Sequence, residues 1–194
     1  DPDDPGRYLT PDGAQPFIVR QEVIAIRGAA ELAIEVRESR HGPVISDTSE
    51  TVREAVGDGY VLALAWTALA PDNRSAQAGL NAALADNRDD FIDALRDFHA
   101  PQQNFVYADA DGNIGFMAAG RVPVRKSGIG WLPQAGETGA GDWTGFVPYS
   151  ALPQVFNPAD GSIINANHRF IDETYPFFIS HDWAAGYRNR RLHQ

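Results

Sequence analysis

Cysteine is absent from all 194 residues. Disulfides, thiol nucleophiles and thiolate metal sites are therefore excluded, while compartment stays open, because exported bacterial proteins often manage without Cys. No apolar run approaches the roughly 18 residues that a membrane-spanning helix needs, and no signal-peptide pattern is visible. Positive charge is scarce: 16 Lys and Arg stand against 26 Asp and Glu, a net charge of −10 and a pI of about 4.8. A surface of that sign repels phosphate backbones and anionic lipid, so the expectation is no nucleic acid and no membrane among the partners.

Several motifs are missing too. The five His, at positions 41, 99, 168, 181 and 193, show neither H-E-x-x-H nor any paired spacing, which argues against zinc. No G-x-S-x-G elbow exists, and Ser46, Ser127 and Ser150 sit near Gly or Pro without an obvious base. GETGAG, from Gly136 to Gly141, lacks the following Lys-Ser/Thr of a phosphate loop and the strand-then-helix context of a dinucleotide site. DADGN, from Asp109 to Asn113, puts Gly at the wrong place for an EF-hand and has Gly120 where that loop needs Glu. It reads as a hairpin turn. Asp89 and Asp90 are neighbours along a helix and face different ways, unlike a glycosidase pair.

What is present is enough for a folded domain. Apolar residues make up 43% and charged residues 22%, and ten Phe, six Tyr and four Trp supply surface to bury. Residues 1–15 read as an extended, turn-rich lead-in. FIVRQEVIAIR and LAIEVRES alternate as strands of a hairpin, with Leu32, Ile34 and Val36 on one face. HGPVIS is a Gly-Pro corner running into a short strand. YVLALAWTAL, residues 60–69, suits a strand buried on both faces. Ser75 to His99 carries Leu80, Leu84, Phe91, Ile92, Leu95 and Phe98 at helical spacing, with DNRDD splitting it into two helices. NFVYADADGNIGFMAAG is a hairpin around Asp-Gly-Asn. Residues 121–160, rich in Gly and Pro, read as long ordered loops pinned by Trp131, Trp143 and Phe146, of the kind that line a site. SIINAN is a last short strand, and DWAAGYRNRRLHQ starts a helix.

Two residues carry possible chemistry. Asn104 has an amide with two N–H donors, and amide hydrolysis needs donors aimed at the oxyanion of its tetrahedral intermediate. Arg125, 21 residues on, offers a planar guanidinium that could hold that Asn or a carboxylate. An Asn beside a strand also satisfies backbone groups, and the residues alone leave both roles open.

Read together and in order, RESRHGPVIS, LALAWTAL, PQQNFVYADADGNIGFMAAGRVPVR, GDWTGFVP, NPADGSIINANHR and YPFFISHDWAAGYRNRR closely resemble the penicillin acylase (penicillin amidase) family of N-terminal nucleophile hydrolases. The resemblance runs through nearly the whole chain. It implies an α+β fold: part of an αββα sandwich of mostly antiparallel strands with long ordered loops. It also implies an exported precursor, periplasmic or secreted, cut autocatalytically into an α and a β chain. The nucleophile of such enzymes is the N-terminal Ser of the β chain, whose own α-amino group acts as base. By motif position the family's oxyanion Asn falls on Asn104 and its neighbouring active-site Arg on Arg125. The nucleophile has no counterpart, so residues 1–194 are read as a single segment of the β-subunit hydrolase domain, inactive by itself. Its expected partners are the α chain, the remainder of the β chain and a small N-acyl substrate. No cofactor is expected for catalysis, and the ligands of the family's structural calcium are expected mostly outside the segment. The alternative is a non-catalytic binding module whose loops, around Trp131, Trp143 and Tyr149, hold a sugar or peptide.

Overall fold

Alternating and helical patterns give this chain its elements, all of its sheets being antiparallel. A computed structural model describes all 194 residues. The chain divides into two compact units, one formed by residues 1–69 with 130–142 and the other by residues 70–129 with 143–194.

In the first unit, the lead-in read as extended and turn-rich closes into a hairpin of β1 (Arg7–Thr10) and β2 (Gly13–Pro16). Thr10 Oγ1 accepts the Asp12 N–H and donates to Gly13 O, so the turn is closed by its own side chain. The expected second hairpin forms from β3 (Ile18–Ile24) and β4 (Leu32–Ser39), extended by the two residues of β5 (Gly42–Pro43). Phe17 is buried beneath Tyr8 and under the Arg37 guanidinium, which lies 4.8 Å from its ring centroid. Arg37 also clasps Asp47 through two hydrogen bonds of 2.8 and 2.7 Å, tying the hairpin to the short 3₁₀ turn that precedes α1 (Glu50–Val56). Asp142 in turn accepts from both Arg40 nitrogens and lies 2.9 Å from His41 Nε2, which anchors the 130–142 loop to the β4–β5 corner.

Residues 60–69 do not form the buried strand that their apolar run predicts. Only Ala63 pairs, in an isolated bridge to Val44, and Tyr60, Val61, Leu64, Trp66 and Leu69 remain exposed. An apolar run needs neighbouring strands on both sides to become a central strand, and here it finds one short partner. Gly42 explains the close approach: its φ is +122°, and a Cβ there would sit 2.3 Å from Leu64 O.

The second unit holds the hydrophobic core. The predicted helical stretch splits where expected, into α2 (Ser75–Ala83) and α3 (Arg88–Ala94), because Asn87 caps α3 by accepting the Asp90 N–H. The predicted hairpin appears as β6 (Gln103–Ala108) and β7 (Ile114–Ala119). Residues 121–160 are more regular than the loops expected of them. They contain β8 (Pro123–Arg125) and β9 (Trp143–Phe146), paired with each other, and β10 (Gln154–Phe156), which pairs with β7. The strand order is thus β10-β7-β6. Trp143 does pack on Phe146, edge to face at 6.1 Å, and Trp131 is 68% exposed. SIINAN is not a strand; it runs irregularly toward the final helix, α4 (Tyr187–Leu192).

Opposed residues of antiparallel strands share a face, and the registers make this sheet two-sided. Phe105, Tyr107, Met117 and Ala119 turn toward α3, where Leu95, Met117, Ala119, Val122, Val147 and Leu152 form the core with Phe91 and Phe98 against them. Asn104, Val106, Phe116, Ala118 and Val155 turn the other way.

Candidate functional site

The face opposite the core is covered by the segment that follows β10. Phe170 packs edge to face on Phe116 with centroids 5.2 Å apart, and Trp183 meets Phe170 edge to face at 5.0 Å. Between sheet and segment lies a cavity of about 580 Å³, whose apolar walls include Phe116, Val155, Ile163 and Phe170 and whose polar lining includes Asn165 and His168. A few polar groups converging on an apolar hollow is the usual make-up of a ligand site. His168 also keeps Nδ1 buried without a hydrogen-bond partner.

Asn104 is half-buried and meets the cavity lining through Asn165. Its Nδ2 donates to Asn165 Oδ1 at 3.2 Å. Burial of the alternate strand residues in the core is what turns it this way, since neighbours along a strand point to opposite faces. The amide is not used to satisfy its own hairpin turn. That turn, at the far end of β6, is closed by Asp109, whose carboxylate accepts the Asp111 and Asn113 backbone N–H groups, the Asn113 side chain and the Tyr107 hydroxyl. These donors, the Tyr107 hydroxyl foremost, hold the Asp109 pKa down at about 2, and the paired phenol rises to about 12. Asp109 is thus fully engaged by local donors. No cluster of three or more His, Asp and Glu suited to a metal ion occurs in the chain.

Arg125 ends β8, where the register is irregular between Val124 and Arg125. Its guanidinium lies 6.0 Å from the Trp143 ring centroid, within the range of a cation–π contact. No carboxylate neutralises it, and burial lowers its pKa from the usual arginine value. The structure does not join Arg125 to Asn104 by a hydrogen bond: one leans on an indole, the other donates to Asn165. Of the other candidates, Ser46 is buried and its hydroxyl accepts the Leu62 N–H, a scaffolding role. Tyr149, offered above as a loop aromatic, packs half-buried against the core, where its hydroxyl donates to Ile92 O and lies 3.3 Å from Met117 Sδ.

Sequence reasoning missed Asn165. Its motif is quoted above as a strand, whereas an N-x-N run between turn residues signals an Asx turn. The turn forms: Asn165 Oδ1 accepts the Asn167 N–H at 3.0 Å, and Asn167 takes φ of +56°.

The fold has a known counterpart. Over 93% of its length the chain matches the structure of a thermostable penicillin G acylase from Alcaligenes faecalis, with a TM-score of 0.75 at 24% identity, covering 32% of that chain. The sequence then identifies the family: residues 1–194 match Penicillin amidase from end to end, and the chain belongs to that family. Relatives include an acyl-homoserine lactone acylase of Pseudomonas fluorescens, 36% identical over 92% of this chain and 21% of that protein. A Pseudomonas penicillin acylase 2 proenzyme is 32% identical over 92% of this chain and 22% of its own length. Penicillin G acylase of Escherichia coli is 31% identical over 84% of this chain and 18% of its own. The chain thus spans about a fifth of the length of these relatives.

Proposed function

We propose that these residues form part of an amidohydrolase that cleaves a linear amide in an N-acyl compound, of the kind named by its acyl-homoserine lactone and penicillin acylase relatives. In this reading Asn104 donates its free N–H to the oxyanion of the tetrahedral intermediate. Arg125, uncompensated and partly desolvated, supplies positive potential that favours the same developing charge. The attacking group is the N-terminal Ser of a processed β chain and lies outside these residues, as do the α chain and the rest of the β chain that complete the site. The whole enzyme works in the periplasm or outside the cell, after autocatalytic processing.

The observation that carries the reading is Asn104 itself: a half-buried amide on the face away from the core, with one N–H engaged by Asn165, a residue of the cavity lining. In the whole precursor, Asn104→Ala is expected to lower turnover by about 10²–10³ with KM little changed and the unfolding transition intact. Unchanged turnover of a chromogenic amide would leave Asn104 a structural residue and remove the reading. The segment by itself is expected to show no amide turnover, and activity of the purified segment would place the nucleophile within it.

A further inference from the structure

We infer that Asn165 is a positioning residue for the oxyanion donor: it fixes which way the Asn104 amide points. The inference rests on the catalytic reading of Asn104 and adds to it a cause for the aim of that side chain.

The two ends of an Asn amide have nearly the same shape, and hydrogen bonding decides between them. Here the decision starts from a backbone group. The Asn167 N–H can only donate, and it points at one terminal atom of Asn165 from 3.0 Å. That atom must therefore be the oxygen. The same oxygen faces Asn104 from 3.2 Å, so the Asn104 atom that meets it must be the nitrogen. One backbone donor thus sets both amides in series. Asn104 is left with one N–H engaged by Asn165, the second N–H available, and its own oxygen turned aside. Without Asn165 the Asn104 amide could rotate by half a turn, presenting an acceptor where an oxyanion needs a donor.

The turn that carries Asn165 is itself held in place. Ala184 N–H donates to Asn167 O at 2.9 Å, and Arg188 Nη2 donates to Ala166 O at 3.0 Å. Asn167 adopts the left-handed region that Asn tolerates better than most residues. The segment from Ala184 to Arg188 therefore pins the 165–167 turn, and the turn orients Asn104.

The test uses the whole precursor. Asn165→Ser retains a hydroxyl able to accept the Asn167 N–H in the manner of an ST turn, but the shorter side chain falls short of Asn104. The expected result is a fall in kcat of about tenfold with KM unchanged for Asn165→Ser, the net value of one hydrogen bond. In an Asn104→Ala background, Asn165→Ser is expected to have no further effect, because the two residues act as one unit. Arg188→Ala, which loosens the turn from its exposed side, is expected to lower kcat about two- to threefold with the same dependence on Asn104. It serves as the readout if the Ser variant does not fold.

A kcat loss in Asn165→Ser that persists undiminished in the Asn104→Ala background would make Asn165 merely structural and overturn the inference. So would unchanged kcat in Asn165→Ser, or in Arg188→Ala where only that variant folds, alongside a large loss in Asn104→Ala. Unchanged turnover in Asn104→Ala is a different failure: it removes the oxyanion reading, and this inference with it.

Discussion

Tyr149→Phe isolates the contact that joins the core to the helix beneath the site. The ring would stay in place, so the apolar packing against Leu95, Met117 and Leu152 is retained. What is lost is the hydroxyl donation to Ile92 O, near the C-terminal end of α3. Carbonyls of a helix's last turn have no intrahelical partner, and a side-chain donor satisfies one of them here. A neutral hydrogen bond contributes about 0.5–1.5 kcal/mol net, and a buried carbonyl left without a partner costs about 1–3 kcal/mol. Ile92 is only half-buried, so water can partly replace the hydroxyl. The expected destabilisation is accordingly about 1–2 kcal/mol, measured by urea unfolding of wild type and variant. A second readout follows from ionisation. Burial raises the Tyr149 pKa from 10.0 to about 12. A group whose folded pKa is raised contributes stability that is complete below its unfolded pKa and is lost as pH rises through the folded value. The advantage of wild type over Phe is thus full near pH 8 and shrinks between about pH 10 and 12. Equal stability of the two proteins near pH 8, or a gap that does not narrow in alkali, refutes the buried-donor account.

Two further substitutions test the frame around the site. Gly120→Ala, directly after β7, places a Cβ 2.8 Å from Gln102 Cα at a φ of +133°; strain of this kind costs about 1–3 kcal/mol, and a melting temperature equal to wild type would show that the strands can separate there. Asp47→Asn removes a carboxylate whose pKa is lowered chiefly by its hydrogen bonds to Arg37. A lowered folded pKa gives stability that is present above the unfolded value and lost as pH falls through the folded one. The variant's stability should therefore vary less with pH below about 4 than that of wild type, as read by denaturation at several acidic pH values.

Local periodicity made the elements of the second unit legible. The Asn87 break and the Asp-Gly-Asn turn each state their structure within a few residues and form as read, whereas the helical spacing from Leu80 to Phe98 is realised only in part: the helices stop at Ala83 and Ala94, and Leu80 and Leu84 are exposed. Residues 60–69 were misread because an apolar run reports hydrophobicity and not whether strands flank it. The short strands Pro123–Arg125, Trp143–Phe146 and Gln154–Phe156 were missed because their pairing partners lie outside any local window. The ordered motifs single out Asn104 as a candidate. Its hydrogen bond is not legible there, since that depends on Asn165, 61 residues away, and on a turn that no local periodicity announces.

The position of Asn104 follows from the same constraint that builds the core. A slip of one residue along β6 would exchange its two faces, turning Phe105 and Tyr107 out of the core and Asn104 into it. Both ends of the hairpin oppose such a slip. At one end Asp109 gathers four donors, while Asn157 accepts the Ile114 N–H and donates to Asn113 Oδ1. At the other, Gly120 lets the chain approach Gln102 more closely than any side chain would allow. Between them, Phe105 is wedged against Phe91 and Phe98. Burying Asn104 in that layer would cost its unpaired amide several kcal/mol, on the order of 1–3 from protein data, in addition to the lost aromatic packing. The hydrophobic pattern therefore does more than stabilise the sheet: it excludes every register in which the amide of Asn104 could face away from Asn165 and the cavity.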